Sequence, residues 1–127
     1  MNEQHVTSLP LSQKLKAAGC PQVSEFWWVK AKAPIGTWDW IIIEAYRDRT
    51  FFADGRGDYD SKVSAYLASE LAVWLPGIYF PYKMDDGRYL WAREKEKDPK
   101  AYADTLVDGM GYPLLHLAEQ KLIKFKI

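Results

Sequence analysis

The sequence has little that would let chemistry be read from it directly. One cysteine, Cys20, stands among 127 residues. An intramolecular disulfide is therefore impossible, which suits a reducing compartment. There are only two histidines, His5 and His116, and neither has a Cys, His or carboxylate at metal-ligand spacing, so no zinc site is expected. No run of about 18 apolar residues occurs, so nothing in the chain is expected to span a bilayer. Residues Met1 to Ser8 are polar without an apolar core, which argues against a signal peptide and sets the cytoplasm as the expected location. Charge of one sign is missing as well. Seventeen Lys and Arg balance seventeen Asp and Glu. A neutral domain has no general positive field to hold phosphate backbones, and weak net repulsion favours self-association.

Aromatic residues, by contrast, are plentiful: six Trp, eight Tyr and five Phe. A chain of this length has room for one hydrophobic core, and it should bury roughly 65–70% of the surface its unfolded form exposes. No disulfide or metal is needed to hold such a domain together. No repeat, linker or low-complexity segment divides it, so residues 1–127 are expected to form one domain, with 1–8 as a flexible arm.

The elements follow from local pattern. Leu9 to Ala18 reads as a helix with Ser8 as N-cap, Pro10 in the first turn, Leu11, Leu15 and Ala18 on one face, and Gly19 ending it. Ser24 to Ala31 and Thr37 to Tyr46 read as strands. The second has the continuous apolar middle of a strand covered on both faces. Arg47 to Asp60 reads as an exposed loop. Ser61 to Leu75 carries an apolar stripe of Val63, Leu67, Leu71, Trp74 and Leu75, which predicts an amphipathic helix. Ile78 to Lys83 and Arg88 to Arg93 flank Asp86-Gly87 and predict a hairpin, with Pro81 marking its strand as an edge. Asp98-Pro99 opens a further helix that breaks at Gly109-Met110-Gly111. Leu114 to Gln120 is a last helix, and Ile123 to Ile127 alternates as a terminal strand. The fold class expected is α+β: a mostly antiparallel sheet of four to five strands with three to four helices packed on it.

Enzyme signatures are nearly absent. His5 lies in the arm, and His116 sits between leucines in a helix. Cys20 follows a helix C-terminus, where the dipole raises a thiol pKa, so packing is its expected role. The loop Asp54-Gly55-Arg56-Gly57-Asp58-Tyr59-Asp60 fails as a calcium loop, since Arg56 and Ala65 fall where oxygen ligands are required. Its Arg-Gly-Asp tripeptide is the kind of match that arises by chance. No phosphate-binding glycine motif or nucleophile elbow is present. No catalytic residue, metal or cofactor is therefore assigned. One enzymatic alternative stays open, in which Glu25, Asp39 and Glu44 converge only in the fold.

The remaining constellation is aromatic. Phe26, Trp27 and Trp28 are consecutive in one strand, so their rings project from both faces of the sheet. Trp38 and Trp40 share a face of the next strand. Tyr79, Tyr82, Tyr89 and Trp91 belong to the hairpin. Rings that the helices leave uncovered would anchor a protein partner or a second copy of the chain. They could also stack single-stranded bases, with Lys30 and Lys32 beside Trp27 and Trp28 and with Lys83, Arg88 and Arg93 on the hairpin supplying the charge.

The run Ser8-Leu9-Pro10-Leu11-Ser12-Gln13-Lys14-Leu15-Lys16-Ala17-Ala18-Gly19-Cys20-Pro21-Gln22-Val23-Ser24-Glu25-Phe26-Trp27-Trp28 resembles the opening of a group of small, uncharacterised bacterial and prophage-encoded proteins. Those begin with a short Leu/Lys helix, a glycine, Pro-Gln, a Ser and an aromatic strand. The segment Ser69 to Pro76 and the closing helix running into Lys121-Leu122-Ile123 are similar too. The resemblance implies a phage or mobile-element setting. It carries no activity and covers no catalytic motif.

Overall fold

The computed structural model of the chain describes residues 5–32, 38–44, 57–75, 79–83, 87–93, 103–123 and 125. Helix α1 spans Leu9–Ala17, strand β1 Phe26–Lys32, β2 Trp38–Glu44, β3 Gly57–Ala65, helix α2 Ala68–Ala72, strands β4 Tyr79–Lys83 and β5 Tyr89–Arg93, and helix α3 Leu106–Glu119. The class is α+β, as expected. Among the described residues no single sheet reaches the expected four to five strands. The larger sheet has three strands, ordered β2-β1-β3 and antiparallel throughout, and the hairpin β4-β5 stands as a separate pair. Pro81 sits in β4 opposite Trp91. A residue without an N–H suits a two-stranded unit, where each strand keeps one unpaired side.

α1 ends as its sequence requires. Gly19 takes a φ of +92°, its N–H donates to the Lys16 carbonyl at 3.1 Å, and the Cys20 N–H reaches back to the Leu15 carbonyl at 3.0 Å. This is the Schellman arrangement that glycine makes inexpensive.

Three expectations are corrected. The helix expected over Ser61 to Leu75 is split: its first five residues belong to β3, which runs from Gly57 to Ala65, and the helical part is confined to the five residues of α2, Ala68–Ala72. The i, i+4 spacing of Val63, Leu67 and Leu71 mimics a helix, but β1 needs a partner on its second side. Val63 and Ala65 answer that need by standing opposite Trp28 and Phe26. The expected loop accordingly ends at Gly57; its first ten residues, 47–56, lie outside the described ones. Second, Gly109-Met110-Gly111 is no break. It lies inside the 14-residue α3, which also contains Pro113 and is capped by Thr105, whose Oγ1 accepts from the Asp108 N–H at 3.2 Å. The expected start at Asp98-Pro99 lies outside the described residues. Gly111 is where α1 crosses: a Cβ there would lie 2.6 Å from Leu11 Cδ2. Close helix approach outweighs the poor helix propensity of glycine. Third, the expected terminal strand is absent at 123 and 125; its other positions, 124, 126 and 127, lie outside the described residues. Ile123 and Phe125 instead pack onto the helical core, Phe125 meeting Trp74 edge-on at 5.5 Å between centroids.

The arm also departs from expectation. Residues 1–4 lie outside the described set, but Val6 and Thr7 are buried, and Val6 bridges to Leu67. The core has two main parts. Leu11, Leu15, Cys20, Tyr66, Leu71, Val107, Met110 and Leu114 gather between the helices, while Phe26, Trp28, Val63 and Ala65 pack beneath Val6 on one sheet face. Trp27, Val29 and Ile43 form a smaller cluster on the opposite face.

Candidate interaction surface

The two edges of the three-stranded sheet are treated differently. Along the outer side of β3, the Lys62 carbonyl accepts from Lys16 Nζ at 2.9 Å, and the Ser64 N–H donates to Gln22 Oε1 at 2.9 Å. Beyond the strand end, the Tyr66 N–H donates to Thr7 Oγ1 at 3.0 Å. Side chains from α1 and its flanks thus close this edge, the usual protection against strand pairing.

The same bonds fix the orientation of every strand. Because Lys62 and Ser64 turn their backbone groups away from β1, Val63 and Ala65 must face it and bond Trp28 and Phe26. A strand's N–H and C=O groups alternate sides residue by residue. Trp27, Val29 and Ala31 therefore bond β2 through Ile43, Ile41 and Asp39, their register partners. The backbone groups of Trp38, Trp40, Ile42 and Glu44 point outward. Among the described residues, no strand pairs with them.

The side chains of this outer strand are also the least covered in the sheet. Trp38 is 47% exposed and Ile41 38% exposed, on opposite faces, while Trp40 and Ile42 are half-buried. The expectation of a strand covered on both faces is thus corrected. Ile43 alone of the seven is buried, because β2 lies at the sheet's margin and β1 holds the centre. Lys30, opposite Trp40 in register, places its Nζ 5.8 Å from that ring's centroid, a cation–π contact.

The structure separates the predicted aromatic residues. Trp28 is buried, its indole N–H donating to the Thr7 carbonyl at 2.9 Å. Trp27 is buried on the other face with Lys62 Nζ 3.9 Å from its ring centroid. Its indole nitrogen makes no hydrogen bond, so contact area and the Lys62 cation hold this ring. Tyr89 is half-buried, and its backbone exchanges two hydrogen bonds with Ala103. The side chains of Tyr79, Tyr82, Trp91, Lys32, Lys83 and Arg93 lie outside the described residues. Of the eight aromatics, Trp38 and Trp40 are brought together on one reachable strand. Sequence reasoning misses Ile41 and the backbone edge that no described strand pairs, because both depend on strand order.

The carboxylates do not converge. Asp39 and Glu44 fall on opposite faces of β2, five residues apart, and Glu25 sits beyond the start of β1, where its N–H donates to Glu70 Oε2 at 2.9 Å. His5 and His116 are both exposed. Among the described residues, no group of three His, Cys, Asp or Glu could hold a metal ion, and no helix is long and apolar enough to cross a membrane.

Cys20 belongs to a buried polar knot. The Tyr66 hydroxyl donates to the Pro21 carbonyl and accepts from Gln22 Nε2 at 3.0 Å, and the same amide nitrogen donates to the Cys20 carbonyl at 3.1 Å. Burial pushes the Cys20 thiol up to about 11, with a hydrogen bond to Tyr66 pulling the other way. Burial also raises Tyr66, and contact with Cys20 adds to the rise. A thiol held protonated at neutral pH is no nucleophile. This cluster fastens the turn after α1 to the end of β3.

Comparison with family models, with curated proteins and with solved structures finds no match to this chain.

Proposed function

We propose that the chain is a non-enzymatic accessory protein of the phage or prophage kind, acting in the cytoplasm by protein–protein contact or self-association through β2. The observation that supports this most is the combination of a strand edge unmatched among the described residues with the exposed ring of Trp38. Trp38 is nearly half exposed on a strand whose backbone groups point away from the sheet, while the opposite edge is closed by dedicated side chains. Strand addition uses those features: main-chain bonds give affinity, and alternate side chains give specificity. The resemblance of the Ser8 to Trp28 segment supports the phage setting. A buried free thiol accords with a reducing compartment.

The nucleic-acid alternative loses its stacking platform, because Trp27 and Trp28 are both buried. The enzymatic alternative loses its acids, because Glu25, Asp39 and Glu44 stay apart.

The test is a photo-crosslinking residue placed at Trp38 and, as a control, at the exposed His116 on α3, in cells expressing the chain. The proposal expects a discrete protein adduct, with the chain itself or another protein, at position 38 and none at 116. Absence of any adduct at 38 overturns it.

A further inference from the structure

Resting on that reading of β2, we infer that its occupant is a second copy of the chain, joined β2 to β2 in antiparallel register across a two-fold axis at Ile42. The result is one continuous six-stranded sheet.

Strand geometry allows few registers. Outward-pointing residues must meet outward-pointing residues, so an antiparallel self-pair within β2 centres on Trp40, Ile41 or Ile42. Charge chooses among them. Centring on Trp40 brings the two Lys30 side chains, each resting on its own Trp40, together at the axis. Centring on Ile41 sets Asp39 beside the partner's Ile43, a carboxylate against an apolar residue that is itself buried. Centring on Ile42 sets Trp40 beside the partner's Glu44, so that Lys30 over the Trp40 ring meets an opposite charge. Two-fold symmetry repeats the pair. On that same face Ile42 meets its own copy at the axis, and on the other face the exposed Ile41 comes beside the partner's Ile43.

This register leaves no carboxylate against an isoleucine and no like charges in contact. Opposite charges on neighbouring strands favour their pairing, and like charges oppose it. The zero net charge of the chain removes the long-range repulsion that would oppose pairing of two copies. The interface is isologous, so it closes as a dimer and does not propagate into a filament.

The test is a charge-swap series in sedimentation equilibrium. The full chain is expected to dimerise, and Lys30→Glu or Glu44→Lys alone is expected to raise its dissociation constant about tenfold. An equimolar mixture of the two variants is expected to recover association as a heterodimer, because both cross-strand pairs become attractive again. In a second measurement, Ile42→Cys in a Cys20→Ala background is expected to form a disulfide dimer under mild oxidation, since directly opposed strand residues lie about 5.5 Å apart at Cα, within disulfide reach. This arm holds even where a charge variant fails to fold. A monomeric wild type up to about 1 mM, unaltered association in both single variants, no recovery on mixing, or no disulfide at Ile42 would each overturn the dimer. If position 38 nevertheless crosslinks to a different protein, the broader reading of β2 stands and only self-pairing falls.

Discussion

Thr7 and Tyr66, 59 positions apart, hold each other by two hydrogen bonds: the Thr7 N–H donates to the Tyr66 carbonyl at 2.9 Å, and the Tyr66 N–H donates to Thr7 Oγ1 at 3.0 Å. The Thr7 carbonyl also takes the Trp28 indole N–H, and its hydroxyl meets Ser12 Oγ at 2.7 Å. One threonine in the expected flexible arm thereby fastens the end of β3, the face of β1 and the start of α1. It also places Val6 against Trp28 in the core on that face of the sheet, while Trp38 lies on the marginal strand β2.

Thr7→Val keeps the shape and removes the hydroxyl. It leaves the buried Tyr66 N–H without its acceptor, an effect worth about 1–3 kcal/mol, while Ser12 Oγ keeps its bond to the Thr7 carbonyl. Urea unfolding is expected to show a loss in that range. A flexible arm would show none.

Gly111→Ala tests the crossing of α1 and α3. Propensity alone would reward alanine in mid-helix by about 1 kcal/mol. The new Cβ, however, falls 2.6 Å from the side chain of buried Leu11, and overpacking typically costs about 1–3 kcal/mol. A lower thermal midpoint is expected; a higher one would mean that the helices separate at little cost.

Lys121 closes α3 in a left-handed conformation, with φ 56° and its N–H bonded to the Ala118 carbonyl at 3.1 Å. That conformation penalises a side chain and suits glycine. Lys121→Gly is expected to stabilise the chain by about 0.5–1 kcal/mol, measured by denaturant midpoint.

The Cys20 and Tyr66 knot predicts alkaline sensitivity. Both groups hold their proton more tightly in the folded chain, so their contribution to stability is complete below the unfolded thiol value of 9.0 and is lost as pH rises towards about 11. The unfolding midpoint should be insensitive to these groups from pH 7 to 8.5 and fall between 9 and 11. Cys20→Ala should flatten part of that fall, and the native thiol should resist alkylation at pH 7.5.

Much of this architecture was legible. Pro10 and Gly19 bracket α1, Asp86-Gly87 marks the hairpin, and the β-branched and aromatic runs mark β1 and β2, because each is a local signal. The rest depends on contacts distant in sequence. Val63, Leu67 and Leu71 satisfy a helical period, and only the demand of β1 for a second neighbour turns Val63 into strand. Gly111 reads as a breaker until Leu11 crosses it. For the candidate site, the aromatic strands were visible but their exposure was not. Trp28 and Trp38 are equivalent in sequence terms, and strand order together with the Thr7 network separates them.

The central claim is that the outer edge of β2 is open in the single chain and closed by a partner. Amide hydrogen exchange, followed residue by residue in dilute and concentrated solution, reads this directly. The account predicts that the Trp40 and Ile42 amides exchange freely in dilute solution while those of Ile41 and Ile43, bonded to β1, are protected. At high concentration, Trp40 and Ile42 should become protected as well. Protection of Trp40 and Ile42 equal to that of Ile41 and Ile43 in the dilute monomer would contradict it, since the edge would then already be closed from within the chain.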